Sequence, residues 1–146
     1  MYLRSILFVS FFCSFVIAEG SRELETKGDA VTNIAGLSWY LNMETALQRA
    51  KKEKKDMLIM IGEESCRWCK KMKNRTLTDR RIQEKLKSYI LVSLKRSDKE
   101  SIRYFPNFDG NIPSFFFMRE NEEVLDSIVG YFKADDFLGY LNEVDE

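Results

Sequence analysis

An α/β fold, with a central mixed sheet flanked by helices on both faces, is predicted by three features of the sequence. Met57-Leu58-Ile59-Met60-Ile61 is a continuous short apolar run, the pattern of a strand covered on both sides. Stretches of helical periodicity lie on either side of it, and strands joined through helices run parallel with right-handed crossovers. Phe115–Met118 and Val124–Val129 are apolar segments joined by the polar link 119–123, which suits an antiparallel hairpin. A sheet containing both kinds of pairing is mixed.

Each element has a local reason. Residues 19–37 are polar and contain Gly20, Gly28 and Gly36; they read as a mobile extension, with an edge strand suggested near Val31–Ala35. Asn42 can cap a helix, Glu44 suits its first turn, and Met43, Ala46, Leu47 and Ala50 form one apolar face, so a helix is predicted over 42–53. Lys51, Lys52, Lys54 and Lys55 crowd its end, where cations oppose the negative helix pole. A central strand follows at 56–62. Cys66-Arg67-Trp68-Cys69 then opens a helix-forming stretch. Asp79 can cap a further helix that turns Ile82, Leu86 and Tyr89 inward; Ile90–Leu94 is the next strand, and Ser101–Phe105 a short helix before Pro106. The last helix places Ala134, Phe137, Leu138 and Leu141 on one face, with Asp135 and Asp136 in its first turn.

Composition narrows the chemistry. The 146 residues contain 23 Lys+Arg, 23 Asp+Glu, three Cys and no His. Without imidazole, Ser-His and Cys-His catalysis and imidazole-ligated zinc are excluded, leaving Cys, carboxylates, Lys and Tyr. A balanced charge gives no general attraction to nucleic acid, which is not expected as a partner. Residues 1–18 combine Arg4, the apolar stretch Ile6–Ile17 and the compact Val16-Ile17-Ala18, the form of a cleaved secretory signal. The stretch is shorter than the roughly 20 apolar residues a membrane span needs, so no transmembrane segment is expected in the mature chain. Loss of the leader removes Cys13 and leaves Cys66 and Cys69. An exported chain works where cysteine pairs persist or exchange; a bacterial periplasm is the first choice of compartment and a eukaryotic secretory pathway the second.

Cys66 and Cys69 lie at the junction of a strand end and a helix start. A sulfur in the first turn faces free backbone N–H groups, which stabilise a thiolate, as does the neighbouring cation Arg67. Cys66 is therefore the candidate attacking sulfur and Cys69 the resolving one. As a staple the pair would be weak: a loop with two intervening residues removes only about 2 kcal/mol of chain entropy, against about 3 for a 15-residue loop. Two thiolates could also hold soft Cu(I), with Met57, Met60 and Met72 nearby in sequence. Ile112-Pro113, directly before the Phe-rich strand, is the second candidate element; a proline there costs no ladder donor.

The cysteine pair and Ile112-Pro113, in this order of elements, resemble the thioredoxin superfamily over about Trp39–Leu141. Cys66-Arg67-Trp68-Cys69-Lys70-Lys71-Met72, Thr78-Asp79-Arg80-Arg81-Ile82 and Ile112-Pro113-Ser114-Phe115 are similar to the group that includes the C-terminal reductase domain of the membrane thiol reductase DsbD. The resemblance implies a thioredoxin-like domain over 38–146 that exchanges disulfides with other proteins. It further implies Cys66 as nucleophile, Cys69 as resolving thiol, Pro113 after a cis bond from Ile112 as the group presenting backbone to substrate, and Arg67 and Trp68 on the docking surface. No cofactor beyond the dithiol is implied; disulfide-containing exported proteins are the implied substrates and a membrane thiol reductase the electron donor. Two positions depart from the family pattern. Met60 stands where many members have a buried acid, and Ser65 where many have tryptophan, so Glu63 or Glu64 could serve in proton transfer only by folding back toward Cys69. A partner-binding module without catalysis and a copper-handling protein are the rival readings.

Overall fold

The computed structural model of the protein describes residues 30–145. The leader reading of 1–18 therefore lies outside the described residues. Among the described residues six strands form one mixed sheet in the order β1-β2-β4-β3-β5-β6. They are β1 (Val31–Ile34), β2 (Leu37–Tyr40), β3 (Met57–Gly62), β4 (Ile90–Lys95), β5 (Ser114–Met118) and β6 (Val124–Val129). The helices are α1 (Met43–Glu53), α2 (Arg67–Lys71), α3 (Arg80–Leu86), α4 (Lys99–Ile102) and α5 (Ala134–Val144). Strands β2, β4 and β3 run parallel, whereas β1, β5 and β6 pair antiparallel with their neighbours.

β3 is buried along its whole length, and its alternate residues serve two cores. Leu58 and Met60 pack on one face with Met72, Leu77, Ile82, Leu86, Phe115, Phe117, Phe137 and Leu141. Met57, Ile59 and Ile61 pack on the other with Met43, Ala46, Leu47, Ala50, Phe116 and Met118. Helix α1 thus covers one side, while α3 and α5 cover the other. Caps fix where the helices begin. Asn42 accepts the Thr45 N–H at 3.1 Å, and Asp79 accepts the Arg81 N–H at 2.9 Å.

Four features differ from the sequence reading. β1 lies where the sequence suggests an edge strand near Val31–Ala35, but β2 has no counterpart in that reading. The turn between β1 and β2 explains it: Ala35 and Gly36 both have positive φ, 53° and 82°, and Asn33 Oδ1 accepts the Gly36 N–H at 3.1 Å. That two-residue reversal closes a tight hairpin whose second strand then runs beside β4. The short helix expected at 101–105 lies at Lys99–Ile102, because Asp98 accepts the Ser101 N–H and sets the start earlier. Met72–Thr76 continues α2 as a π-helical turn, with Leu77 N–H bonded to the Met72 carbonyl at 3.0 Å. Tyr89 is buried as expected, but from beyond the end of α3.

Phe115 is fully buried, with its ring 5.1 Å from that of Phe137, and so couples β5 to α5. Phe115→Ala is expected to cost about 3–5 kcal/mol of stability, read from the urea midpoint. A loss below about 1 kcal/mol would contradict this placement of the core.

Candidate functional site

β3 ends at Gly62, and four residues later the chain enters α2 through Cys66. Cys66 has an extended backbone conformation, φ −76° and ψ 107°, and is the N-cap: its Sγ accepts the Cys69 N–H at 3.1 Å. The two cysteines form a disulfide with their Cα atoms 5.2 Å apart. Their environments are unequal. Cys66 is half-buried, whereas Cys69 is 1% exposed. Cys69 lies against Gly62, where an added Cβ would come within 3.1 Å of its Sγ. Cys66 is therefore the more accessible of the two sulfur-bearing residues. An amide aimed at Cys66 Sγ is the kind of donor that stabilises a thiolate.

The sheet brings the proline loop to the same end. Ile61 pairs with Ser114, so the next position outward places Pro113 beside Gly62. Ile112–Pro113 is a cis peptide bond. The Pro113 carbonyl accepts the Gly130 N–H at 2.7 Å. The neighbouring Tyr131 in turn stacks on Trp68, ring centroids 5.6 Å apart and planes inclined by 28°. Pro113, Gly130, Tyr131 and Trp68 thus link the loop to the cysteine helix. Behind them the Thr76 hydroxyl donates to the Phe132 carbonyl at 2.5 Å, fixing the far end of the π turn.

All six residues singled out from the sequence, Cys66, Arg67, Trp68, Cys69, Ile112 and Pro113, therefore lie along one end of the sheet. Trp68 is 45% exposed, and the Arg67 guanidinium lies 5.3 Å from its ring centroid. Two partners escaped the sequence reading. Tyr131 stacks from 63 positions away along the chain, and Lys71 holds its Nζ 4.8 Å from the Trp68 ring and 4.4 Å from the Tyr131 ring. The only signal for Lys71 was its helical spacing of three from Trp68.

Neither Glu63 nor Glu64 folds back toward Cys69. Glu63 accepts the Ser97 N–H at 2.9 Å, and Glu64 pairs with Lys95 at 2.7 Å. The Ser97 hydrogen bonds hold Glu63 below the usual carboxylate range, and the Lys95 ammonium does the same for Glu64. Both stay ionised near neutral pH. They line a cavity of about 240 Å³ together with Gly62, Ser93 and Lys73. Burial lowers the pKa of the Lys73 ammonium. The three methionines near the cysteines do not converge either: Met60 and Met72 join one core, while Met57 faces the other.

Because Gly62 leaves room for Cys69 Sγ, Gly62→Ala is expected to displace that sulfur, to cost about 1–3 kcal/mol through overpacking, and to slow its attack on any disulfide formed by Cys66. Acid-quenched samples of the variant should show the Cys66 mixed disulfide accumulating. An unchanged lifetime would contradict the contact.

The comparisons with known proteins agree with this geometry. A family model described as thioredoxin-like matches residues 38–120. The structure is similar to the oxidised C-terminal domain of DsbD from Neisseria meningitidis, with 18% identity, TM-score 0.58, 72% of this chain and 97% of that one covered. It is similar to a thioredoxin from Thermus thermophilus, with 21% identity, TM-score 0.62 and coverage of 73% and 85%. A disulphide isomerase from Xylella fastidiosa Temecula1 aligns with 15% identity, TM-score 0.60 and coverage of 70% and 88%. Comparison with curated proteins gives no match. With more than half its length matched by the family model, and a disulfide spanning the first turn of the helix after the central strand, the chain belongs to the thioredoxin-like family.

Proposed function

We propose that the protein is an exported thiol-disulfide oxidoreductase working in the reducing direction on disulfides of other exported proteins. The observation that carries this reading is the inequality of the two sulfurs: Cys66 half-buried at the helix cap, Cys69 covered behind it. In the reduced protein the Cys66 thiolate attacks one sulfur of a substrate disulfide. The substrate S–S bond breaks, a bond from Cys66 to substrate forms, and the departing thiolate takes up a proton. Cys69, deprotonated, then attacks Cys66 and displaces the second substrate thiolate, which is protonated in turn. Two electrons and two protons have passed to the substrate, and Cys66–Cys69 is left as the disulfide seen here. A dithiol donor of the membrane thiol-reductase class would restore the reduced pair by the same exchange in reverse.

Pro113 has no N–H and its carbonyl is taken by Gly130, so the backbone of Ile112 is the group we assign to meet a substrate strand beside Cys66. Export rests on the leader-like residues 1–18, with a periplasm as the favoured compartment. Among the described residues no helix is long and apolar enough to cross a membrane.

Insulin reduction driven by dithiothreitol tests the activity: Cys66→Ser should abolish the acceleration, and undiminished turnover would overturn the reading. The reduction potential of the pair tests the direction. A value of about −270 mV supports a reductase, whereas one of about −120 mV would make the protein an oxidant.

A further inference from the structure

The whole chain is balanced in charge, but the active-site segment is not. Between Glu64 and Asp79 lie Arg67, Lys70, Lys71, Lys73 and Arg75, and no acid. Of the flanking acids, Glu64 pairs with Lys95 and Asp79 with Arg81, and Glu64 also lies within electrostatic range of Lys70 and Lys73 without forming an ion pair with either. Among the described residues none of those five cations enters an ion pair. Lys70 lies one helical turn beyond Cys66, whose carbonyl accepts its N–H at 3.1 Å. Arg67 lies over the Trp68 ring, and Lys71 over both the Trp68 and Tyr131 rings, on the helix that opens with Cys66.

We propose that the rim formed by Arg67, Trp68, Lys70, Lys71 and Tyr131 is a docking surface for polypeptides carrying acidic side chains beside their disulfide. The proposal rests on the oxidoreductase reading and adds a substrate class to it. Three features favour such a partner. Cations without ion-pair partners are complementary to carboxylates and would steer their approach. An exposed tryptophan, a tyrosine and an arginine are the residue types that carry most binding energy at protein interfaces. The aromatic stack holds Lys71 before a partner arrives, so little side-chain freedom is left to lose on binding. The surface surrounds a sulfur that exchanges with other disulfides, which selects a cystine-bearing polypeptide over other polyanions.

The test uses reduced full-length protein and two synthetic peptides, each holding one cystine loop, identical except that glutamates flank the loop in one and lysines in the other. Stopped-flow exchange at low salt should be about tenfold faster with the acidic peptide. Raising salt to about 1 M, which shortens the screening length to about 3 Å, should collapse the ratio toward one. Lys70→Glu combined with Lys71→Glu should invert the ratio, and the Lys70→Gln, Lys71→Gln pair should bring it near one. Equal rates in the unmodified protein, or a ratio that survives charge reversal, would overturn the proposal. Neutral 2-hydroxyethyl disulfide separates the two readings: failure to oxidise the protein with it is a failure of the redox reading. Docking is then read from Trp68 fluorescence titrated with cystine-free versions of both peptides. A response to the acidic peptide alone supports the surface, and no response to it overturns it.

Discussion

The site depends on a sulfur doing the work of a helix cap. At most helix starts an oxygen from Ser, Thr, Asn or Asp accepts the first free N–H groups, as Asn42 and Asp79 do in this protein. At α2 the acceptor is Cys66 Sγ, bonded to the Cys69 N–H at 3.1 Å. The group that satisfies the helix is thus also the group that would attack, and the interaction that starts the helix also favours its anionic form. The N–H that this cap receives belongs to the residue three positions on. In this chain that residue is the second cysteine.

The rest of the fold keeps that arrangement asymmetric. β3 is buried on both faces and ends at Gly62, whose missing side chain leaves room for Cys69 Sγ. β5 pairs antiparallel with β3 and sets Pro113 beside the same glycine. β6 then returns through Gly130 to Tyr131, which stacks on Trp68 and closes the link between sheet and helix. The end of the sheet that carries the cysteines is therefore built from three separate chain segments.

Most of the fold was legible because its signals are local. The apolar run at 57–61, the caps Asn42 and Asp79, and the hairpin at 114–129 each occupy a short window, and each element lies within a few residues of its expected place. β2 was not legible, since its hairpin with β1 turns on Ala35-Gly36 and not on an Asn-Gly or Asp-Gly pair, and its other edge is paired with β4, about fifty residues away. The π turn at 72–76 likewise reflects how Met72 and Thr76 bury, for which helical periodicity gives no sign. In the site, Cys66, Cys69 and Pro113 announce themselves by residue type and spacing. Tyr131 does not, because only the folded sheet carries it to Trp68. Nor could sequence decide that Glu63 and Glu64 turn toward Ser97 and Lys95.

The fold leaves Cys66 half-buried at the helix cap and covers Cys69 behind it. Alkylation of the fully reduced protein by iodoacetamide, followed across pH with the modified residue identified by mass spectrometry, addresses this inequality directly. The account requires Cys66 to react first and almost alone, with an apparent pKa below the ordinary thiol value of about 8.5. Equal labelling of Cys69, or a Cys66 titrating at or above that value, would contradict it.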